Sequence, residues 1–327
     1  MKRRAFIGLI GGAAFVWPLM ANGQRAAKVW RIGMLDTAPR EFNRVNLDAF
    51  IKRLRELGYV EGQNLTIEYR ASDGDNERIG KIVSELVSLK PDLLAIRGTQ
   101  ESLAMKEATS TIPIVMCGVA DPVRRGLAVS LSHPGGNITG LNSVTTEIET
   151  KRVALLKEVV PGMKRMAMVG DFRNPAVQNQ WKEVQIAAQT LAIDVIHFDV
   201  RSASDLSDAF EQATTERVEA VRVGVDGTTR TNCTAIIELA KKYRMPVIYA
   251  AREFADDGGL VSYAPDYANI YSRCAAFVDK VFRGASPAEL PIELPTKFEL
   301  ILNLRTAKAL GLSITPTILS LADETIE

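Results

Sequence analysis

From residue 29 onward, short apolar runs alternate with segments whose apolar positions recur at helical spacing. Residues 29–36 are an apolar run closing on polar side chains, which predicts a strand. Over 42–57 the apolar residues stand at 42, 45, 47, 50, 51, 54 and 57, the spacing of a helix with one buried face, and Gly58 follows as a C-cap. The same reading predicts strands at 65–69, 93–96 and 112–116, and helices at 77–89, 101–109 and 123–131. The acidic run Asp73-Gly74-Asp75-Asn76-Glu77 lacks full calcium-loop spacing and reads better as the N-cap of the helix that follows.

The turn cluster His133-Pro134-Gly135-Gly136-Asn137 interrupts the alternation, and a boundary is predicted just beyond it, near 141–145. The pattern then restarts, with helices at 147–160, 175–191, 203–216 and 230–243 and strands at 165–169, 195–199, 220–225 and 247–250. A short strand at 260–263, a helix at 267–283, a Pro-rich stretch at 287–295, a last strand at 298–304 and a short helix at 305–310 complete the chain. Apolar strands alternating with helices imply parallel sheets covered on both faces. Two such runs of similar size predict an α/β protein of two doubly wound lobes joined by a hinge. The lobes are assigned as 28–142 plus 252–286, and 143–251 plus 287–327.

The N-terminus changes the picture. Lys2-Arg3-Arg4 precede an apolar stretch of about 16 residues and then Ala21-Asn22-Gly23, the three regions of an export signal. The stretch is short of the ~20 residues of a membrane span. A signal peptide over 1–23, cleavage near Gly23 and a periplasmic location are therefore expected. Arg3-Arg4-Ala5-Phe6-Ile7 also fits a twin-arginine pattern, with Lys2 in place of the usual Ser or Thr. Removing the leader's three cations turns the net charge of +1 into −2, which suggests neither nucleic acid nor an acidic membrane surface as a partner. Of Cys117, Cys233 and Cys274 at least one is free. Packing is the expected role of each, and a Cys233–Cys274 bridge is compatible with an oxidising compartment.

Catalytic signatures are missing. There is no GxxxxGK[ST] phosphate loop and no GxSxG elbow, and the two histidines, His133 and His197, stand in no zinc-binding spacing. A non-enzyme without cofactor or metal is expected. An exported α/β enzyme is the alternative, and it would need a nucleophile–base pair.

Ordered segments along the whole length carry a resemblance. They are Leu57-Gly58-Tyr59-Val60-Glu61-Gly62-Gln63-Asn64, Thr111-Ile112-Pro113-Ile114-Val115, Asp121-Pro122-Val123 and His133-Pro134-Gly135-Gly136-Asn137-Ile138-Thr139-Gly140. Near the C-terminus, Arg252-Glu253-Phe254-Ala255, Gly258-Gly259-Leu260-Val261-Ser262-Tyr263 and Pro295-Thr296-Lys297-Phe298-Glu299-Leu300 continue the series. In this order they resemble the periplasmic substrate-binding proteins of ABC transporters, in the branch that includes tryptophan-binding members. One loop departs: Arg97-Gly98-Thr99-Gln100-Glu101-Ser102 stands where that branch usually has Gly-Gly-Thr-Pro-Ser. The resemblance implies a type I periplasmic-binding fold, a monomer that captures a small, amino-acid-like molecule between its lobes, and an inner-membrane ABC permease as partner.

Ligands of open α/β sheets bind at the C-terminal ends of the strands. Gly98 and Thr99, opening the third helix, are placed to take a ligand carboxylate on free backbone N–H groups. Asp36 and Thr37 follow the first strand in the same way. Asp121 or Asp226 would pair a ligand ammonium, and Phe172 and Tyr263 would cover an apolar part.

Overall fold

The computed structural model describes residues 28–327, so the leader predicted for 1–23 lies outside the described residues. The first run comprises β1 (Trp30–Asp36), α1 (Arg44–Glu56), β2 (Leu65–Ala71), α2 (Asn76–Ser88), β3 (Leu93–Ile96), α3 (Thr99–Ala108), β4 (Ile114–Val119) and β5 (Ile138–Asn142). The second comprises α4 (Glu149–Val159), β6 (Arg165–Gly170), α5 (Pro175–Thr190), β7 (Asp194–Asp199), α6 (Ala203–Thr215), β8 (Ala220–Val223), α7 (Gly227–Thr231), α8 (Cys233–Lys242), β9 (Val247–Tyr249), α9 (Arg252–Asp256) and β10 (Val261–Pro265). The chain ends with α10 (Tyr267–Phe282), β11 (Phe298–Asn303), α11 (Leu304–Leu310), α12 (Pro316–Leu321) and β12 (Glu324–Ile326).

The first sheet has the order β2-β1-β3-β4-β5 and is parallel throughout. In the second sheet, β7-β6-β8-β9-β10 repeats that order, and β11 and β12 extend the β10 edge. Only the β10–β11 pairing there is antiparallel. Both faces of each sheet are covered. In the first lobe α1 and α10 pack on one face and α2 and α3 on the other. The fold is therefore two doubly wound α/β lobes of type I periplasmic-binding architecture. Local signals account for many helix ends: Asp75 caps α2 by accepting from the Glu77 amide, and Asn174 caps α5 just ahead of Pro175.

The lobe assignment needs correction at two places. The sequence assigns residues 252–265 to the first lobe, yet β10 pairs with β9 and β11 in the second sheet. The chain crosses only at Asp266, where α10 begins and packs against α1. Residues 287–293 were assigned to the second lobe, yet they line the first. The Glu293 amide donates to the Gly140 carbonyl, the Asn142 amide donates to Glu293, and Ile292 is buried in the first core. The three crossings are thus the segment after β5, Asp266, and residues 294–297.

Smaller departures have local causes. The helix expected at 123–131 is a set of turns, broken where Gly126 takes a φ of 68°. The helix expected at 230–243 is divided into α7 and α8 at Asn232. Strand β5 was not predicted. Its Gly140 has a φ of 124°, and a Cβ there would run into the Met116 backbone of the neighbouring strand.

Cys117 of β4 is bridged to Cys274 of α10, with Cα atoms 5.6 Å apart, and Cys233 is the free, buried thiol. The Cys233–Cys274 pairing is excluded because Cys233 lies in α8 of the second lobe. Among the described residues, no helix is long and apolar enough to cross a membrane, and no cluster of three or more His, Cys, Asp or Glu side chains could hold a metal ion.

Candidate functional site

The C-terminal ends of both sheets face each other across one cleft. The first lobe brings Thr37 after β1, Arg97 and Gly98 after β3, Thr99 and Glu101 at the start of α3, and Ala120 after β4. The second brings Asp171 after β6, Gln180 from α5, and Val225, Asp226 and Thr228 after β8. The switch of strand order on either side of β1 and β6 opens these ends into a crevice.

The two lobes touch around the rim. Arg230 of α7 reaches across to Asp36 at 3.3 Å and to the Thr37 hydroxyl, while its other nitrogen meets Glu253 at 3.3 Å. Asn76 donates to Asp171 at 3.4 Å, and the Thr228 hydroxyl donates to the Gly74 carbonyl at 3.3 Å. Gly74 and Gly227 approach so closely that a Cβ on either would strike the other's backbone. On the opposite side Asn179 donates to Asp121 at 3.0 Å, and Arg125 donates to the Pro175 carbonyl. Between these contacts lies a partly open cleft with about 50 Å³ of free space, lined by both lobes.

Thr37, Gly98, Thr99 and Asp226 line this cavity. Asp36 and Asp121 sit just behind it, and their carboxylates are engaged by protein groups. Asp36 accepts from Asn43 at 2.8 Å, from Tyr271 and from Arg230; Asp121 accepts from Thr146 at 3.1 Å and from Asn179. Phe172 packs instead with Trp181 and His197, at ring distances of 6.1 and 4.5 Å, and Tyr263 stacks on Phe298 at 6.2 Å. Neither aromatic ring lines the cavity, so the apolar cover expected of them is not provided in this arrangement.

Other lining groups carried weaker signals. Arg97 and Glu101 were visible only as departures in one loop. Gln180 and Arg230 are polar residues of helices, with nothing in their spacing to mark them as buried. Gly98, at a φ of 100°, is required because a Cβ would meet both the Glu101 carboxylate and the Thr37 methyl.

The family described as ABC transporter substrate binding protein matches residues 44–326. The chain belongs to that family. It is 26% identical over 263 residues to a tyrosine-binding protein of Clostridioides difficile (strain R20291), covering 80% of this chain and 75% of that one. Two solved structures share the fold. A conserved domain protein from Vibrio cholerae superposes with a TM-score of 0.85 at 26% identity, covering 91% of this chain and all of the other. An ABC domain in complex with L-Trp from Streptococcus pneumoniae gives 0.83 at 23% identity, covering 91% of this chain and 99% of its own.

Burial sets the electrostatics of this substrate-binding protein's cleft. It pushes the Glu101 carboxyl up to about 7, partly offset by hydrogen bonds from Ser72 and from its own amide. It pushes Asp226 up to about 6, against the amides of Thr229 and Asp171, both of which donate to that carboxylate. Both folded-state values lie above the ordinary carboxyl range, so the native state holds these protons more tightly than the unfolded chain does. Their contribution to stability is full below about pH 4 and is lost as the pH rises through 6 and 7. Calorimetric melting of the unliganded protein should therefore show this contribution falling from pH 5 to pH 8. Glu101→Gln should flatten the decline, and an unchanged slope in that variant would show that Glu101 does not contribute to it.

Proposed function

We propose that this protein is the extracytoplasmic receptor of an ABC importer, closing its two lobes on one small, amino-acid-like molecule and delivering it to a permease in the inner membrane. The observation that carries the reading is the cavity at the facing strand ends, lined by residues of both lobes that also touch across it. The export-type leader and the names of the relatives, one binding tyrosine and another holding L-Trp, support it. The protein acts as a monomer in the periplasm, after cleavage near Gly23, and no catalytic step is assigned to it.

Three crossings of the chain make a hinge that bends rather than slides. A ligand drives closure only by binding the closed form more tightly than the open one, which requires contacts to both lobes. Small molecules released from natively purified protein by denaturation can be identified by mass spectrometry and returned to stripped, refolded protein. Small-angle scattering should then show the radius of gyration fall on addition. A saturating ligand that leaves the radius unchanged would count against hinge closure, and the absence of any bound or re-binding solute would count against a receptor.

A further inference from the structure

We propose that the α-carboxylate of the ligand seats on the guanidinium of Arg97, with the carboxamide of Gln180 closing over it from the second lobe, and not on the start of α3. This assignment rests on the amino-acid-like reading above and names its anionic subsite.

Arg97 is 3% exposed and lines the cavity. Its Nη1 donates to Asn43 at 3.3 Å and its plane lies 4.0 Å from the centre of the Tyr267 ring, but Nη2 has no partner among the described residues. The other deeply buried arginines each also keep one unpartnered nitrogen, but all three are paired with carboxylates. Arg152 and Arg222 both pair with Glu149, and Arg230 pairs with Asp36 and Glu253. No carboxylate forms an ion pair with Arg97 among the described residues, although Asp36 and Glu253 are near enough to favour its charge. A desolvated guanidinium with a free donor edge on a cavity is matched by an oxyanion, which it can bind through two parallel N–H groups.

Gln180 faces the same cavity from α5 and is wholly buried. Its Oε1 accepts from the Val225 amide at 3.1 Å and from Arg222 at 3.2 Å, which fixes the orientation of the carboxamide. Nε2 is thereby left as a donor without a protein partner. Arg97 Nη2 from the first lobe and Gln180 Nε2 and Arg230 Nε from the second are thus unmatched donors on this cavity, and of these Arg97 is the cation that no carboxylate pairs.

The start of α3 is already occupied by a carboxyl group of the protein. The Glu101 carboxylate bends back over Gly98, accepts from its own amide and takes the Ser72 hydroxyl at 2.7 Å. A ligand carboxylate at the same helix end would have to displace the Glu101 carboxyl from the space over Gly98 and from the Ser72 hydroxyl. Glu101 and Asp226 instead supply the acidic side of the cavity, opposite in sign to Arg97 and suited to the ammonium of a zwitterion.

The test uses L-tryptophan, L-tyrosine and L-glutamate, each against its α-carboxamide, titrated calorimetrically into the stripped protein and into Arg97→Gln. At least one acid should bind the parent about ten- to a hundredfold more tightly than its amide. Arg97→Gln should bind that acid no better than its amide, with ligand-free melting near the parent's. A merely structural role for Arg97 would weaken acid and amide alike and leave their ratio in place. If Arg97→Gln does not fold, the acid-to-amide ratio in the parent and in Gln180→Leu decides. Acid binding at parental strength in Arg97→Gln, or equal binding of acid and amide by the parent, overturns the subsite and leaves the receptor reading intact. No binding by any of the six probes overturns the amino-acid-like reading together with the subsite.

Discussion

Replacing Glu149 with glutamine is expected to cost about 3–5 kcal/mol of folding stability, the usual penalty for removing one partner of a buried ion pair. Glu149, Arg152 and Arg222 are all fully buried in the second lobe, and the single carboxylate serves both guanidinium groups. Burial and the neighbouring Arg222 already press Arg152 down to about 10, against the pull of Glu149. Without Glu149, two cations would face each other in the core. The damage should spread to the hinge. Arg152 Nε donates to the Tyr263 carbonyl at 2.8 Å and Nη1 to the Thr145 carbonyl at 2.8 Å, so one guanidinium braces the ends of two of the three crossings. Urea unfolding of Glu149→Gln should show a midpoint far below the parent's. A loss under about 1 kcal/mol would mean that the cluster relaxes or hydrates, and that its charges are not held as the structure places them. Replacing the whole triad with apolar residues of similar volume should be far milder than the single change.

The second large effect concerns the Cys117–Cys274 bridge. It ties α10, reached only after the chain has traversed the second lobe, to β4 in the first core, across a separation of 157 residues. Closing so long a loop restricts the unfolded chain strongly, so Cys117→Ser/Cys274→Ser is expected to lose about 2–4 kcal/mol and to melt roughly 5–10 °C lower. Both sulfurs are buried, so mild reductant without denaturant should act slowly on the folded protein. Equal melting of parent and double variant would show that α10 is held by packing against α1 alone.

The sequence alone determined most of the elements and their class. Hydrophobic period separates strand from helix, because each element must bury one face, and the acidic run 73–77 and Gly58 marked helix ends that the structure keeps. It also placed Thr37, Gly98, Thr99 and Asp226 where a cleft should form, since ligands of doubly wound sheets meet the strand ends. Only the tertiary structure decided which sheet receives β10, which cysteine meets Cys274, and that Gly140 lets β5 lie against β4. Period shows that a face is buried but not against what. Partners distant in sequence leave no local trace, and a polar residue bound for the interior looks like one bound for solvent. Arg97 and Gln180 illustrate the limit: one was visible only as an odd residue in a loop, the other as one more polar position on a helix. They form a pair only because two sheets of the same winding turn their strand ends toward a single cavity.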